Sequence, residues 1–128
     1  MYVLDTCTLL WWTLDPNSLS KRAEQACAKI DEHGAFISSI TIWEIGIKIK
    51  KGLLNINEDI AAYVNRVKSL QSISIVSVDE HIWIRNLGLN WEHKDPTDRT
   101  IVATAMMKKL KIITKDKIIR DFYPDTIW

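Results

Sequence analysis

The chain has 128 residues, of which 47% are apolar and 26% charged, and its formal net charge is +1. This size and composition are typical of one folded domain over residues 1–128, and they exclude a two-domain protein and an intrinsically disordered chain. A net charge so close to zero also excludes a surface that binds polyanions everywhere, so contacts with nucleic acid are expected only from local basic patches.

The cysteine, histidine and apolar patterns exclude several other classes of protein. Cys7 and Cys27 are too few for a disulfide scaffold, and no CxxC or HExxH motif indicates a zinc site. The first residues do not resemble a signal peptide, because Asp5 interrupts them early, and no apolar run approaches the roughly 20 residues that span a bilayer. We therefore expect a cytoplasmic protein with free thiols and no membrane contact.

The first third of the chain is predicted to contain two strands and two helices. Asp5 ends the first strand, the hydroxyl of Ser18 can cap the second helix, and Gly34 ends that helix. Apolar residues recur at helical spacing within the second helix. In chain order, the predicted elements are a strand over 2–4, a helix over 9–14, a helix from Ser18 to about Glu32 and a strand over 35–37.

The next segment, which ends at Gly52, fits two secondary structures. Three isoleucines alternate with other residues as in a strand, and β-branched residues favour that interpretation. They are Ile45, Ile47 and Ile49. The segment also has apolar residues on one helical face, and Glu44 and Lys48 are spaced as a favourable helical ion pair. Periodicity alone leaves helix and strand open here.

The rest of the chain continues the alternation of helices and strands. Its clearest helix has Asp95 as cap, Pro96 in the first position and Asp98 in the first turn. The predicted elements are a helix from Asn57 to about Leu70, a strand over 73–78, a helix from Asp79 to near Gly88, the helix beginning at Asp95-Pro96, a strand over 110–114 and an edge strand over 126–128. Strands separated by helices predict an α/β fold, with a central, mostly parallel sheet of four to five strands flanked by helices.

Four acidic residues are predicted to meet at one edge of this sheet. Asp5 and Asp116 directly follow strands, Glu44 lies shortly after the second strand, and Asp98 lies in the first turn of the clearest helix. Parallel sheets bind their ligands outside the carboxyl ends of the strands. Taken singly, each acid has an ordinary role as a helix cap, a charge at a helix N-terminus, an ion-pair partner or a turn residue.

Taken together, the four acids indicate a cation. Carboxylates a few ångströms apart raise one another's pKa, and Mg²⁺ or Mn²⁺ relieves that repulsion because hard cations prefer oxygen ligands. Such a site suits the hydrolysis of phosphodiesters. No Ser–His–Asp or Cys–His pattern indicates acyl transfer.

The sequence carries a series of short motifs around these acids, in order along nearly the whole chain. They are Leu4-Asp5-Thr6, Leu9-Leu10-Trp11-Trp12, Ser38-Ser39-Ile40-Thr41-Ile42-Trp43-Glu44-Ile45, Lys48, Lys51-Gly52-Leu53, His93-Lys94-Asp95-Pro96-Thr97-Asp98-Arg99 and Ile112-Ile113-Thr114-Lys115-Asp116. In these motifs the chain resembles the PIN-domain nucleases, specifically the VapC-type toxins of prokaryotic toxin–antitoxin pairs. The resemblance implies a PIN-like three-layer sandwich and a helical conformation around Glu44.

The resemblance also implies a function and a site. It implies a metal-dependent endoribonuclease that hydrolyses RNA with water activated by Mg²⁺ or Mn²⁺, forms a homodimer and is covered by a small antitoxin. The implied metal ligands are Asp5, Glu44, Asp98 and Asp116. Thr6 and Thr114 match small hydroxyl residues that orient carboxylates or water, and Asp95 matches a further supporting position. Contacts to RNA phosphates are expected from Lys48, Lys51 and Arg99.

Two positions depart from the family pattern, and two other functions are compatible with the sequence. Many relatives have His where this chain has Cys7, and Phe where it has Thr97, so substrate specificity cannot be transferred in detail. A non-catalytic PIN-like module that binds RNA or protein is the main alternative. An aspartyl-nucleophile phosphatase using Asp5 is a weaker one, because those enzymes have a second Asp at the position of Cys7.

Overall fold

The computed structural model describes residues 1–128 and contains one sheet of five parallel strands. The strands are β1 (Tyr2–Leu4), β2 (Ala35–Ser38), β3 (Ile73–Val76), β4 (Lys111–Ile113) and β5 (Thr126–Ile127). Their order in the sheet is β3-β2-β1-β4-β5. The first strand is therefore central, and its Val3 pairs with Phe36 of β2 and with Ile112 of β4. This arrangement confirms the predicted α/β fold with a parallel sheet.

Eight α-helices connect and cover the strands. They are α1 (Thr6–Leu14), α2 (Lys21–Cys27), α3 (Ile30–His33), α4 (Ser39–Lys50), α5 (Ile60–Lys68), α6 (Glu80–Leu87), α7 (Pro96–Lys108) and α8 (Lys117–Phe122), and a 3₁₀ helix spans Pro16–Ser18. None of the helices is both long and apolar enough to cross a membrane. The segment around Glu44 lies in α4, so the helical conformation implied by the family resemblance is confirmed.

The core consists of two apolar clusters, one on each face of the sheet. Side chains alternate between the faces along a strand, so Leu4 packs in one cluster and its neighbour Val3 in the other. The cluster around Leu4 includes residues of α1 to α5, such as Ile45 and Tyr63. The cluster around Val3 includes residues of α6, α7 and α8, such as Val102. The sheet is thus the middle of three layers, as predicted.

Several predicted element boundaries were wrong. Ser18 lies in the 3₁₀ helix, and the cap of α2 is Ser20, whose hydroxyl accepts a hydrogen bond from the N–H of Ala23. The helix predicted from Ser18 to about Glu32 is two helices, α2 and α3. Asn57 has a positive φ of 57°, and Asp59 caps α5 in its place. These errors share a cause, since neighbouring polar residues can each cap a helix in principle.

The remaining differences concern the ends of strands and of the first helix. The strands predicted over 73–78 and 110–114 are shorter, because β3 ends at Val76 and β4 covers only Lys111–Ile113. The first helix begins at Thr6, three residues before its predicted start, because Asp5 caps it. The edge strand is present but ends at Ile127.

Candidate active site

The four predicted acids line one cleft at the carboxyl ends of the strands. Asp5 follows β1 and caps α1, Asp116 follows β4 and caps α8, Glu44 lies in α4 just after β2, and Asp98 lies in the first turn of α7. The cleft has a volume of about 320 Å³. Its other lining residues are Thr6, Cys7, Trp11, Lys48, Asp95 and Lys115. Four elements that are distant in sequence therefore each contribute one carboxylate.

Asp5 is the most buried of the four acids, with 6% of its surface exposed. Its Oδ1 accepts a hydrogen bond of 2.7 Å from the N–H of Thr8, and its Oδ2 accepts one from the hydroxyl of Thr114. The hydroxyl of Thr8 in turn donates to the carbonyl of Ile113, at 2.8 Å. Burial raises the pKa of Asp5 despite these hydrogen bonds. The carboxylate is thus fixed in position, and its charge is only partly compensated.

Thr114 connects Asp5 with Asp116. Besides donating to Asp5, its hydroxyl oxygen accepts a hydrogen bond of 3.0 Å from the N–H of Asp116. The Oδ1 atom of Asp116 accepts from the N–H of Ile118, at 2.8 Å, which is the capping contact of α8. One buried hydroxyl therefore sets the relative placement of two acids from adjacent strands. This contact is the kind predicted for the small hydroxyl residues beside the acids.

Glu44 has a partner on each of its carboxylate oxygens. Its Oε1 lies 2.9 Å from the Nζ atom of Lys48, one helical turn later, and its Oε2 accepts a hydrogen bond of 3.3 Å from the hydroxyl of Thr6. The hydrogen bond to Glu44 raises the pKa of Lys48. Lys48 lines the cleft, so its ammonium group is a protein cation placed among the carboxylates.

Asp98 is partly buried and lies next to a histidine. The pKa of Asp98 is raised to about 6, mainly by burial and less by the nearby charges of Asp95 and Asp116, whereas a hydrogen bond from His93 lowers it. The Nε2 atom of His93 lies 2.7 Å from Oδ2 of Asp98. The N–H of Asp98 donates to Oδ1 of Asp95, at 2.9 Å, so Asp95 is the cap of α7.

The donor set of the cleft fits a hard divalent cation. Its acidic ligand atoms are carboxylate oxygens, which Mg²⁺ and Mn²⁺ prefer. The raised pKa values of Asp5 and Asp98 show that desolvation opposes their charges and that the surrounding protein compensates them incompletely. Desolvation and the charge of Asp5 raise the pKa of Cys7 as well, and a sulfur ligand is softer than the oxygen ligands that Mg²⁺ and Mn²⁺ prefer. In addition, ligand atoms of His93, Asp95 and Asp98 lie within 4.8 Å of one another.

Of the three basic residues predicted to contact RNA, Lys48 lines the cleft, whereas Lys51 and Arg99 do not. Lys51 is exposed at the C-terminal end of α4 and does not line the cleft. The guanidinium of Arg99 points toward the end of α6, where it donates to the side chain and backbone of Asn86, and toward the loop before α7, where it donates to three carbonyls. These donor groups hold the loop, which favours a structural role for Arg99 over a phosphate contact.

Sequence reasoning missed several residues that shape the site. Thr8 orients Asp5, Lys115 and Trp11 line the cleft, and His93 contacts Asp98. His93 opens one of the motifs that carry the family resemblance, but its spacing five residues before Asp98 does not predict a contact between the two side chains. Thr8 gave no signal, because the group that contacts Asp5 is a backbone N–H, which nearly every residue has, and its hydroxyl donates to a carbonyl 105 residues away.

Comparisons with known proteins agree with this geometry. Residues 2–123 match the model of the PIN domain. Ribonuclease VapC22 of Mycobacterium tuberculosis is 27% identical over 136 residues, which cover 98% of this chain and 97% of that protein. A toxin–antitoxin complex from Klebsiella pneumoniae has a TM-score of 0.67 and 23% identity, covering 100% of this chain and 97% of that chain. VapC20 of Mycobacterium tuberculosis, described as a sarcin-ricin loop cleaving toxin, has a TM-score of 0.66 and 12% identity over 94% of each chain.

Proposed function

Because the chain belongs to the PIN domain family, with a match over residues 2–123, we propose that it is a metal-dependent endoribonuclease and the toxin of a VapBC-type toxin–antitoxin pair. One observation carries this proposal. Four carboxylates from four separate elements line a single cleft at the carboxyl ends of the sheet, and two of them have raised pKa values there. Keeping acids together in this way costs stability, and a function that requires a cation explains it.

We assign the metal-binding role to the four acids of the cleft, which are Asp5, Glu44, Asp98 and Asp116. When bound, Mg²⁺ or Mn²⁺ supplies Lewis-acid chemistry that activates water and stabilises charge on phosphate oxygens. The hydroxyls of Thr114 and Thr6 hold the carboxylates of Asp5 and Glu44 in place. Attack of water in line on phosphorus forms a new P–O bond and breaks the bond to the 3′ oxygen, which takes up a proton. The products are a 5′-phosphate and a 3′-hydroxyl.

The RNA substrate is a polyanion and the cleft is acidic. Basic side chains near the cleft therefore have a role in positioning the RNA. Lys48 and Lys115 line the cleft, and the Nζ atom of Lys48 lies 2.9 Å from Oε1 of Glu44. With the carboxylate of Glu44 held as a metal ligand, the ammonium of Lys48 would be free to contact an RNA phosphate. Such contacts position a substrate without reading its sequence.

An antitoxin that covers the cleft has a groove to extend into. A largely apolar groove of about 550 Å³ continues from the cleft between α1 and the loop after α4, and the two share Cys7, Trp11 and Lys48. The side chain of Leu53 in this groove is 73% exposed. We propose that the cognate antitoxin lies here and blocks access of RNA to the acids; one protein of the same fold is a toxin–antitoxin complex from Klebsiella pneumoniae.

The homodimer expected from the family resemblance also has a candidate surface. Trp43 of α4 and Trp83 of α6 line a common apolar pocket, and their side chains are 58% and 41% exposed. Leu87 at the end of α6 is 80% exposed. Large apolar side chains exposed together are typical of protein interfaces.

Cleavage of cellular RNA by purified, antitoxin-free protein tests the proposal. We expect cutting with Mg²⁺ or Mn²⁺, none with EDTA, and loss of cutting in Asp5→Asn and Asp98→Asn. The matched control is Asp121→Asn, because Asp121 is an exposed acid of α8 that pairs with Lys117 outside the cleft. Undiminished cutting in EDTA or in Asp98→Asn would refute the metal mechanism. Binding of RNA without metal-dependent turnover would instead favour the non-catalytic module.

A further inference from the structure

The side chain of His93 is held rigidly beside the acidic cleft although it does not line it. Its ring packs against Trp91, with ring centroids 4.9 Å apart, and Trp91 stacks on Phe122 at 4.4 Å with the two planes 3° apart. Arg99 donates hydrogen bonds of 2.7 Å to the carbonyl of Trp91 and 3.1 Å to that of His93. The ring and the backbone of His93 are therefore fixed by separate contacts.

The polar edge of this ring is directed at Asp98. Its Nε2 atom lies 2.7 Å from Oδ2 of Asp98, and each of the two side chains is 22% exposed. A short hydrogen bond between partly buried groups is stronger than one in water, because less solvent competes for it. It is also the only side-chain hydrogen bond that the Asp98 carboxylate receives, whereas Asp5 and Glu44 each have partners on both oxygens.

We propose that His93 is a positioning residue for the metal site, which donates its Nε2–H to Oδ2 of Asp98 and so fixes the orientation of that carboxylate for a divalent cation. The inference rests on the proposed function, since it assumes that Asp98 is a metal ligand. Hydrogen bonds from outside the ligand set orient the ligands, and their loss weakens metal binding by about 10- to 100-fold. A proton on Nε2 prevents that nitrogen from binding the metal itself.

The role of Arg99 follows from the same arrangement. Its guanidinium ties together the carbonyls of Asn86, Leu89, Trp91 and His93, so it fixes the loop that carries the imidazole. A planar guanidinium with several donors suits this task better than an ammonium group. The chain of contacts therefore runs from Arg99 through the loop backbone and His93 to the carboxylate of Asp98.

Measurement of Mn²⁺ affinity in two variants separates this role from simple packing. His93→Phe keeps a ring that can pack against Trp91 but has no donor, whereas the Nε2 amide of His93→Gln can take the place of the imidazole Nε2–H. Titration calorimetry with Mn²⁺ should show affinity reduced by at least about tenfold in His93→Phe and by less than about threefold in His93→Gln. Equal affinity of wild type and His93→Phe would overturn the inference, as would equally weak binding by both variants.

One further readout and one replacement variant complete the test. Electron spin-echo spectroscopy of bound Mn²⁺ should show no directly coordinated ¹⁴N in the wild type, and a coordinated nitrogen that disappears in His93→Gln would overturn the positioning role. If His93→Phe does not fold, His93→Asn replaces it, because the shorter amide cannot reach Asp98. Wild-type protein that neither binds Mn²⁺ nor cleaves RNA would refute the proposed function and this inference together. Metal-dependent cleavage with unchanged Mn²⁺ affinity in His93→Phe would refute this inference alone.

Discussion

Replacing Asp98 with Asn is expected to stabilise the metal-free protein while it abolishes metal-dependent cleavage. Burial raises the pKa of Asp98 from 3.8 to about 6, so the folded protein binds a proton at this carboxyl more tightly than the unfolded chain does. The stability contributed by protonated Asp98 is fully present below the pKa of this carboxyl in the unfolded chain. It is lost as the pH rises through the pKa of the carboxyl in the folded protein. At neutral pH the ionised carboxylate therefore lowers the free energy of unfolding, by at most about 3 kcal/mol.

An uncharged amide of the same shape removes this cost. It also gives up the favourable position of a negative charge in the first turn of α7, which contributes about 0.3–1 kcal/mol. We therefore expect Asp98→Asn to gain about 1–2 kcal/mol in the free energy of unfolding, or roughly 3–8 °C in Tm for a domain of this size. Thermal unfolding in EDTA at neutral pH measures the difference, and repetition toward about pH 4 should show it shrinking as wild-type Asp98 takes up its proton.

Addition of a divalent cation should make wild type more stable than Asp98→Asn, which reverses the order of stability expected in EDTA. A ligand that binds only the folded state adds stability as its concentration rises above Kd, so wild type should gain Tm with Mn²⁺ and Asp98→Asn should gain much less. Asp121→Asn, which alters an exposed ion pair, should behave as wild type in both conditions. A metal-free Asp98→Asn that unfolds below wild type, or that keeps the full gain with Mn²⁺, would refute the reasoning.

Three other variants test separate parts of the site. Thr114→Val should lower the free energy of unfolding by about 1–3 kcal/mol, because it removes the donor to Asp5 and leaves the N–H of Asp116 without its acceptor. Thr114→Ser keeps the hydroxyl and should retain wild-type stability, and chemical denaturation measures both variants. Arg99→Lys should cost about 1–3 kcal/mol of stability because an ammonium cannot reach all the loop acceptors; unchanged stability with weaker RNA binding would instead revive the predicted phosphate contact. Lys48→Met should change the free energy of unfolding by less than about 1 kcal/mol, since the ion pair with Glu44 is partly exposed. The KM for RNA should rise, and an unchanged KM would show that Lys48 does not position the substrate.

The sequence was sufficient to predict which acids come together, for a physical reason. Asp5 and Asp116 directly follow strands, and parallel strands present their carboxyl ends at one edge of the sheet. Asp98 follows a strong helix cap at Asp95, so its position in the first turn of α7 could also be inferred. Each of these inferences depends on a local pattern of a few residues, and the fold then brings the local patterns together.

Features that depend on contacts between distant segments could not be predicted in this way. The alternation of Ile45, Ile47 and Ile49 favoured a strand as much as a helix, and packing of α4 against the sheet decides the matter in the structure. Arg99 sits in a motif beside the acids, but its donors turn away from the cleft toward loop carbonyls. The direction of a long side chain such as Arg99 depends on which nearby carbonyls have no other hydrogen-bond donor. The sequence does not show which carbonyls these are.

The link between Asp5 and Thr114 also sets when the acidic site can be completed during synthesis. Asp5 is made before Thr114, and its carboxylate gains its hydroxyl partner only when this residue, 109 positions later, docks beside it. Strand β1 likewise pairs along its second edge only after β4 has been made. A partly translated chain that ends before residue 114 therefore lacks both Asp116 and the contact that orients Asp5, so the acidic site is completed only after residues 114–116 have left the ribosome.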